Sequence, residues 1–128
     1  MAVAALAGAS VALAGEQGAQ GRIAVPSGQE VILHEVLIDD APGARWVRFR
    51  FVAPRAGEAA LREAAGADMD HLCADVALPY LSEQGIEAAR VVISLSERAV
   101  PFGEAAPDVP QFFELYRPEG GACIWDGF

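Results

Sequence analysis

The sequence predicts an α+β fold. A mostly antiparallel sheet of about five or six strands should carry one main helix on one face, with a disulfide from helix to hairpin. Three observations predict it. Strand-like runs of β-branched or alternating residues recur along the chain, and only one stretch, residues 57–81, has helical spacing. The two cysteines fall in different elements, Cys73 on the apolar stripe of that helix and Cys123 in the last strand. The 128 residues suit one domain, and 53% hydrophobic content is ample for a core.

Residues 2–14, from Ala2 to Ala14, carry no charge. The run is too short and too rich in small residues to span a bilayer. It has the character of the apolar core of a secretory signal, with Ala12-Leu13-Ala14 as an A-x-A site before Gly15, although no positive residue precedes it. The expectation is export, with residues 1–14 as a signal-peptide remnant. The alternative is an Ala-rich N-terminal helix. Residues 15–21 read as a glycine-rich linker, and residues 22–128 as the single domain.

Arg22 to Val25 reads as a short strand stopped by Pro26-Ser27-Gly28. From Glu30 to Asp39 both alternating faces are largely apolar, which predicts a central strand. His34 then falls among aliphatic residues, as a hydrogen-bonded core histidine. After the Asp39 to Gly43 turn, Trp46 to Val52 alternates strictly. Val47, Phe49 and Phe51 share one face and Arg48 and Arg50 the other, the pattern of a half-buried antiparallel strand.

In the helical stretch, Met69, Leu72, Cys73, Val76 and Tyr80 form one stripe. Gly66 is expected to split off a weaker leading segment, with Asp68 as N-cap of the main helix. Pro79 should loosen the last turn and Gly85 should end it. Asp68, His71 and Asp75 read as a solvated face and not as a metal site, because no fourth ligand is indicated. Arg90 to Ser96 is the clearest strand, with Val91, Ile93 and Leu95 on one side and Arg90, Val92, Ser94 and Ser96 on the other. Pro101, Gly103, Pro107 and Pro110 impose a loop. Phe112 to Arg117 and Ala122 to Trp125, joined across Gly120-Gly121, read as a hairpin.

An even cysteine count in an exported chain points to one structural disulfide. Closing so long a loop stabilises by about 4 kcal/mol on the chain-entropy model. There is no C-x-x-C pair or zinc knuckle.

With 18 acidic residues against 9 basic ones, all arginine, the net charge is −9. That balance argues against a nucleic-acid backbone or an anionic membrane as partner. No G-x-S-x-G, phosphate loop or H-E-x-x-H is present. No catalytic residue, cofactor or metal is therefore assigned.

The segments Ser94-Leu95-Ser96-Glu97-Arg98, Val100 to Glu104, Gln111 to Glu114, Tyr116-Arg117 and Cys123-Ile124-Trp125 resemble an uncharacterised family, a domain of unknown function, of short exported alphaproteobacterial proteins. Phe49 to Pro54 and the Asp68 to Cys73 segment are similar to the same family. The resemblance runs from about residue 25 onward and implies location and pattern but no activity. Some similar sequences carry an automatic acetolactate synthase label. This chain is far too short for a thiamine-diphosphate enzyme and has no diphosphate-binding motif.

A third reading, beside the two that follow, is an envelope-complex subunit that is stable only with its partner. The leading expectation is a non-catalytic periplasmic or secreted binding or accessory protein, a monomer or a subunit of an envelope complex. Its rival is a small hydrolase-like enzyme using Ser94 or Ser96 with His34 or His71 as base. With the helix covering one face only, Arg48, Arg50, Arg90, Ser94, Ser96 and Tyr116 are expected on the open face. Such a face suits a small anionic ligand or an acidic patch on a partner protein. The plainer alternative is that these arginines pair with Glu35 and Glu114 across strands.

Overall fold

The computed structural model describes residues 21–128. The expected signal-peptide remnant, and the linker up to residue 20, lie outside the described residues. Five strands form one sheet in sequential order: β1 (Ile32–Asp39), β2 (Trp46–Val52), β3 (Arg90–Ser96), β4 (Gln111–Glu119) and β5 (Ala122–Gly127). One helical stretch joins β2 to β3, comprising α1 (Ala59–Leu72), a π-turn over Cys73–Ala77 and α2 (Leu78–Gln84). The crossover makes β2 and β3 parallel, while all other pairs are antiparallel.

The core lies between helix and sheet. Val47, Phe49 and Phe51 of β2, and Val91, Ile93 and Leu95 of β3, are buried against Met69, Leu72 and Cys73. Tyr80 meets Phe49 edge-on, with ring centroids 5.4 Å apart. Period-2 alternation in the strands faces period-3.6 spacing in the helix, as their side-chain geometry requires. Cys73 and Cys123 are bonded, with Cα atoms 6.3 Å apart, so the staple joins the helix to the outermost strand.

Several expectations need correction. Arg22 to Val25 is no strand, because only an isolated bridge joins Arg22 to Ile32. β1 is an edge strand, not a central one. Its register passes from Leu33 opposite Phe51 to Glu35 opposite Arg50, leaving His34 as the extra residue of a bulge. Leu33, Val36 and Ile38 consequently share the helix side, Glu35 and Leu37 face the other way, and His34 is exposed rather than a core residue. With apolar residues on both faces, alternation alone could not locate the slip.

The helix runs through Gly66 without a break, and Asp68 is no cap. Asp68 is fully buried and accepts hydrogen bonds from Ser27 N–H (3.0 Å), Ser27 Oγ (2.6 Å) and Gln29 Nε2 (2.9 Å). It fastens the 25–31 segment to α1. The helix widens just ahead of Pro79, where Leu78 N–H reaches back five residues to Cys73 O. Proline lacks the donor and its ring crowds the carbonyl four residues back, so a wide turn relieves it. Gly85, at φ 65°, ends α2 as expected.

Candidate functional site

The sheet face away from the helix is not open along its whole length. The segment between β3 and β4, residues 97–110, arches back over it. Its base is closed by Glu97 N–H donating to Pro110 O at 3.0 Å, and Glu104 N–H to Pro101 O and Val109 N–H to Ala106 O make its internal turns. Its prolines forbid regular structure and set these bends. Gly57 allows the base to close, because a Cβ there would stand 2.8 Å from Glu97 Oε2 and 2.9 Å from Pro110 Cγ. The arch buries Val92, Ser94 and Ser96, so β3 is covered on both sides.

Between arch and sheet lies a pocket of about 500 Å³. Arg48, Arg50, Val92, Ser94, Gln111 and Phe113 supply the sheet side, and Val100, Phe102, Glu104, Pro107 and Val109 are among the arch residues that supply the other. Arg48 and Arg50 stand two apart on β2 and so project together. Phe102 lies against both, 5.4 Å from the Arg48 guanidinium carbon and 5.5 Å from that of Arg50, measured to the ring centroid. Trp46 lies 5.4 Å from Arg48. Flat guanidinium groups stack on aromatic faces in this way.

Each arginine already has a carboxylate. Arg48 Nε and Nη2 donate to Asp39 Oδ2 at 3.1 and 2.9 Å, and Arg50 Nη1 donates to Glu35 Oε1 at 2.5 Å. Arg50 Nη2 also donates to Val100 O at 2.5 Å, which ties the arch to the sheet. The Ala41 N–H first, and then the Arg48 guanidinium, hold the Asp39 carboxyl below the usual carboxylate range. With Glu104 also in the wall, the pocket has no surplus positive charge.

The six residues expected on one open face are divided by the structure. Arg48, Arg50 and Ser94 come together in the pocket. Ser96 Oγ donates to Gln111 Oε1 at 3.2 Å, at the base of the arch. Arg90 sits at the other end of β3, paired with Asp126 at 2.7 Å. Tyr116 needs correction: it stands opposite Val91 on the helix side, buried, with its hydroxyl donating to Asp70 Oδ1 at 2.6 Å. Its parity followed from the pairing of β3 with β4, which one strand alone does not reveal. Burial first, and then Asp70, push the phenol well above its ordinary value of 10.0.

Of the expected carboxylate partners, Glu35 takes Arg50, whereas Glu114 accepts from Trp125 Nε1 at 2.6 Å. Neither histidine lies near the serines. His34 is on the edge strand and His71 on the helix, beyond the sheet from Ser94, so the pocket lining holds no imidazole base. His71 pairs with Asp75 at 3.4 Å, and Asp68 belongs to the Ser27–Gln29 cluster instead. Among the described residues no group of histidine, cysteine and carboxylate side chains is placed to hold a metal.

Fold and pocket together define a small disulfide-stapled α+β domain with a roofed sheet face. A family model described as a family of unknown function (DUF6497) matches residues 4–128, and the chain belongs to that family. Searches of curated proteins and of solved structures found no match. No helix among the described residues is long and apolar enough to cross a membrane.

Proposed function

We propose that the chain is a non-catalytic exported binding or accessory module, and that the pocket beneath the 97–110 arch is its binding site. The observation that carries this reading is the pocket's composition. Apolar walls from Val92, Val109, Phe102 and Phe113 surround a few convergent polar groups, Ser94, Gln111 and the guanidinium donors of Arg48 that Asp39 leaves unused. Binding sites for small molecules have this make-up. Because Asp39 and Glu35 balance both arginines, recognition rests on hydrogen bonding rather than net charge. The ligand class that fits is a small, largely apolar molecule bearing one carboxylate or carbonyl. The disulfide supports an oxidising compartment. The hydrolase alternative has no imidazole in the pocket lining beside Ser94, where the one carboxylate is Glu104.

Phenylacetate and phenylacetamide test the site by calorimetry. Both should bind saturably to the wild-type protein. Arg48→Gln should weaken phenylacetate by about tenfold, a loss of about 1.4 kcal/mol, and Phe102→Ala should weaken both probes. Absence of binding at millimolar concentration, or binding indifferent to both substitutions, would sink the reading.

A further inference from the structure

Ser94 and Ser96 share one face of β3, but their hydroxyls meet different surroundings. Both residues are nearly covered, at 4% and 6% exposure. Ser96 Oγ is matched within the chain, where it donates to Gln111 Oε1 at 3.2 Å. Ser94 Oγ makes no hydrogen bond among the described residues. It is not sealed off either, since the one sealed side-chain polar atom without a partner among them is Gln29 Oε1. The space that Ser94 meets is the pocket, whose floor it forms between Arg50 on β2 and Phe113 on β4. Packing alone does not call for a hydroxyl there, beside Phe113 and one step along the same face from Val92. A covered hydroxyl costs stability unless something bonds to it, and here that partner must come from the pocket's contents.

The register sets Ser94 apart from the other polar groups of the floor. Arg48 stands opposite Val92, and Ser94 follows two residues on, so the Cα atoms of Arg48 and Ser94 are about 8 Å apart on the diagonal. Gln111 lies beyond, opposite Ser96, and with its amide oxygen taken it keeps its amide N–H groups as donors. We propose, resting on the pocket as the binding site, that its ligand carries a hydroxyl at the end remote from Arg48, and that Ser94 is the residue that selects it. A hydroxyl can donate to Ser94 Oγ and accept from Gln111 Nε2 at once. The ligand class is therefore a small hydroxylated acid or amide, with an apolar middle about as long as one aromatic ring between its two polar ends.

Calorimetry with 4-hydroxyphenylacetate and 4-methylphenylacetate tests the proposal. The two probes share size and carboxylate, and the methyl group is the more hydrophobic, so burial alone favours the methyl probe. The wild-type protein should nonetheless bind the hydroxy probe about tenfold more tightly. Ser94→Ala removes one oxygen atom and should abolish that preference, while Arg48→Gln should weaken both probes alike. A methyl probe that binds the wild type as tightly as the hydroxy probe would overturn the proposal. So would a preference that survives Ser94→Ala. In both cases the carboxylate probes still bind and still answer to Arg48→Gln, so the pocket stands as a binding site and only the role of Ser94 falls. If neither probe nor phenylacetate binds, the site and the role of Ser94 fall together.

Discussion

Phe49 and Arg48 are neighbours in sequence and face opposite media. Phe49 is fully buried and packs edge-on against Tyr80, whereas Arg48 reaches across the other face to Asp39 and Phe102. Phe49→Ala should cost about 3–5 kcal/mol in urea unfolding, because it empties a site between strand and helix. Arg48→Ala should cost a small part of that. Equal losses would mean that the arch packs on β2 as a second core. Tyr116 offers a second test at this scale. Its phenol is raised, so the folded state holds the proton more tightly than the unfolded state. The resulting stability is present in full below pH 10 and is lost as pH rises beyond it. Alkaline titration should therefore destabilise the wild type more steeply than Tyr116→Phe, and parallel curves would show that the Tyr116 proton contributes nothing. The faces of Val47, Phe49, Phe51, Val91, Ile93 and Leu95 were legible in the sequence, because each belongs to a strictly alternating run. The partners of Asp68 were not. Ser27 and Gln29 lie 41 and 39 residues away, and local pattern carries no trace of such a pairing.

The elements themselves were largely legible, and their irregularities were not. β2, β3 and the hairpin stand where alternation and the Gly120-Gly121 turn put them. The β1 bulge escaped because a slip between two apolar faces leaves no mark in the sequence. The unbroken helix at Gly66 shows packing overriding a propensity cost of about 1 kcal/mol. The arch was legible as a loop from its prolines, but not as a roof over Ser94, since its course depends on the Arg50 bond to Val100 O. At this scale the disulfide decides how firmly the hairpin is held to the helix. Cys123→Ala should lower stability by about 2–5 kcal/mol, measured by urea unfolding beside the oxidised parent. Intact mass after alkylation should show two thiols only on reduction. An unchanged midpoint would mean that β5 is held by its ladder to β4 alone.

At the scale of the whole molecule, one helix cannot cover both faces of a five-stranded sheet, and the chain solves the exposed face in two ways. Ion pairs cover the β1–β2 half, and the arch covers the β3–β4 half. The pocket lies where those two solutions meet. The sequence pointed to Arg48, Arg50 and Ser94 because alternation fixes their face. It was silent on Phe102 and Phe113, whose contribution depends on how a non-repetitive loop folds back. If this junction is a binding site, fragment soaking of crystals will reveal it without any assumption about the natural ligand. Small aromatic carboxylates and amides should appear in density between Phe102 and Phe113, with the acceptor end toward Arg48. Fragments bound only elsewhere, or an arch folded down to fill the space in the unsoaked crystal, would contradict it.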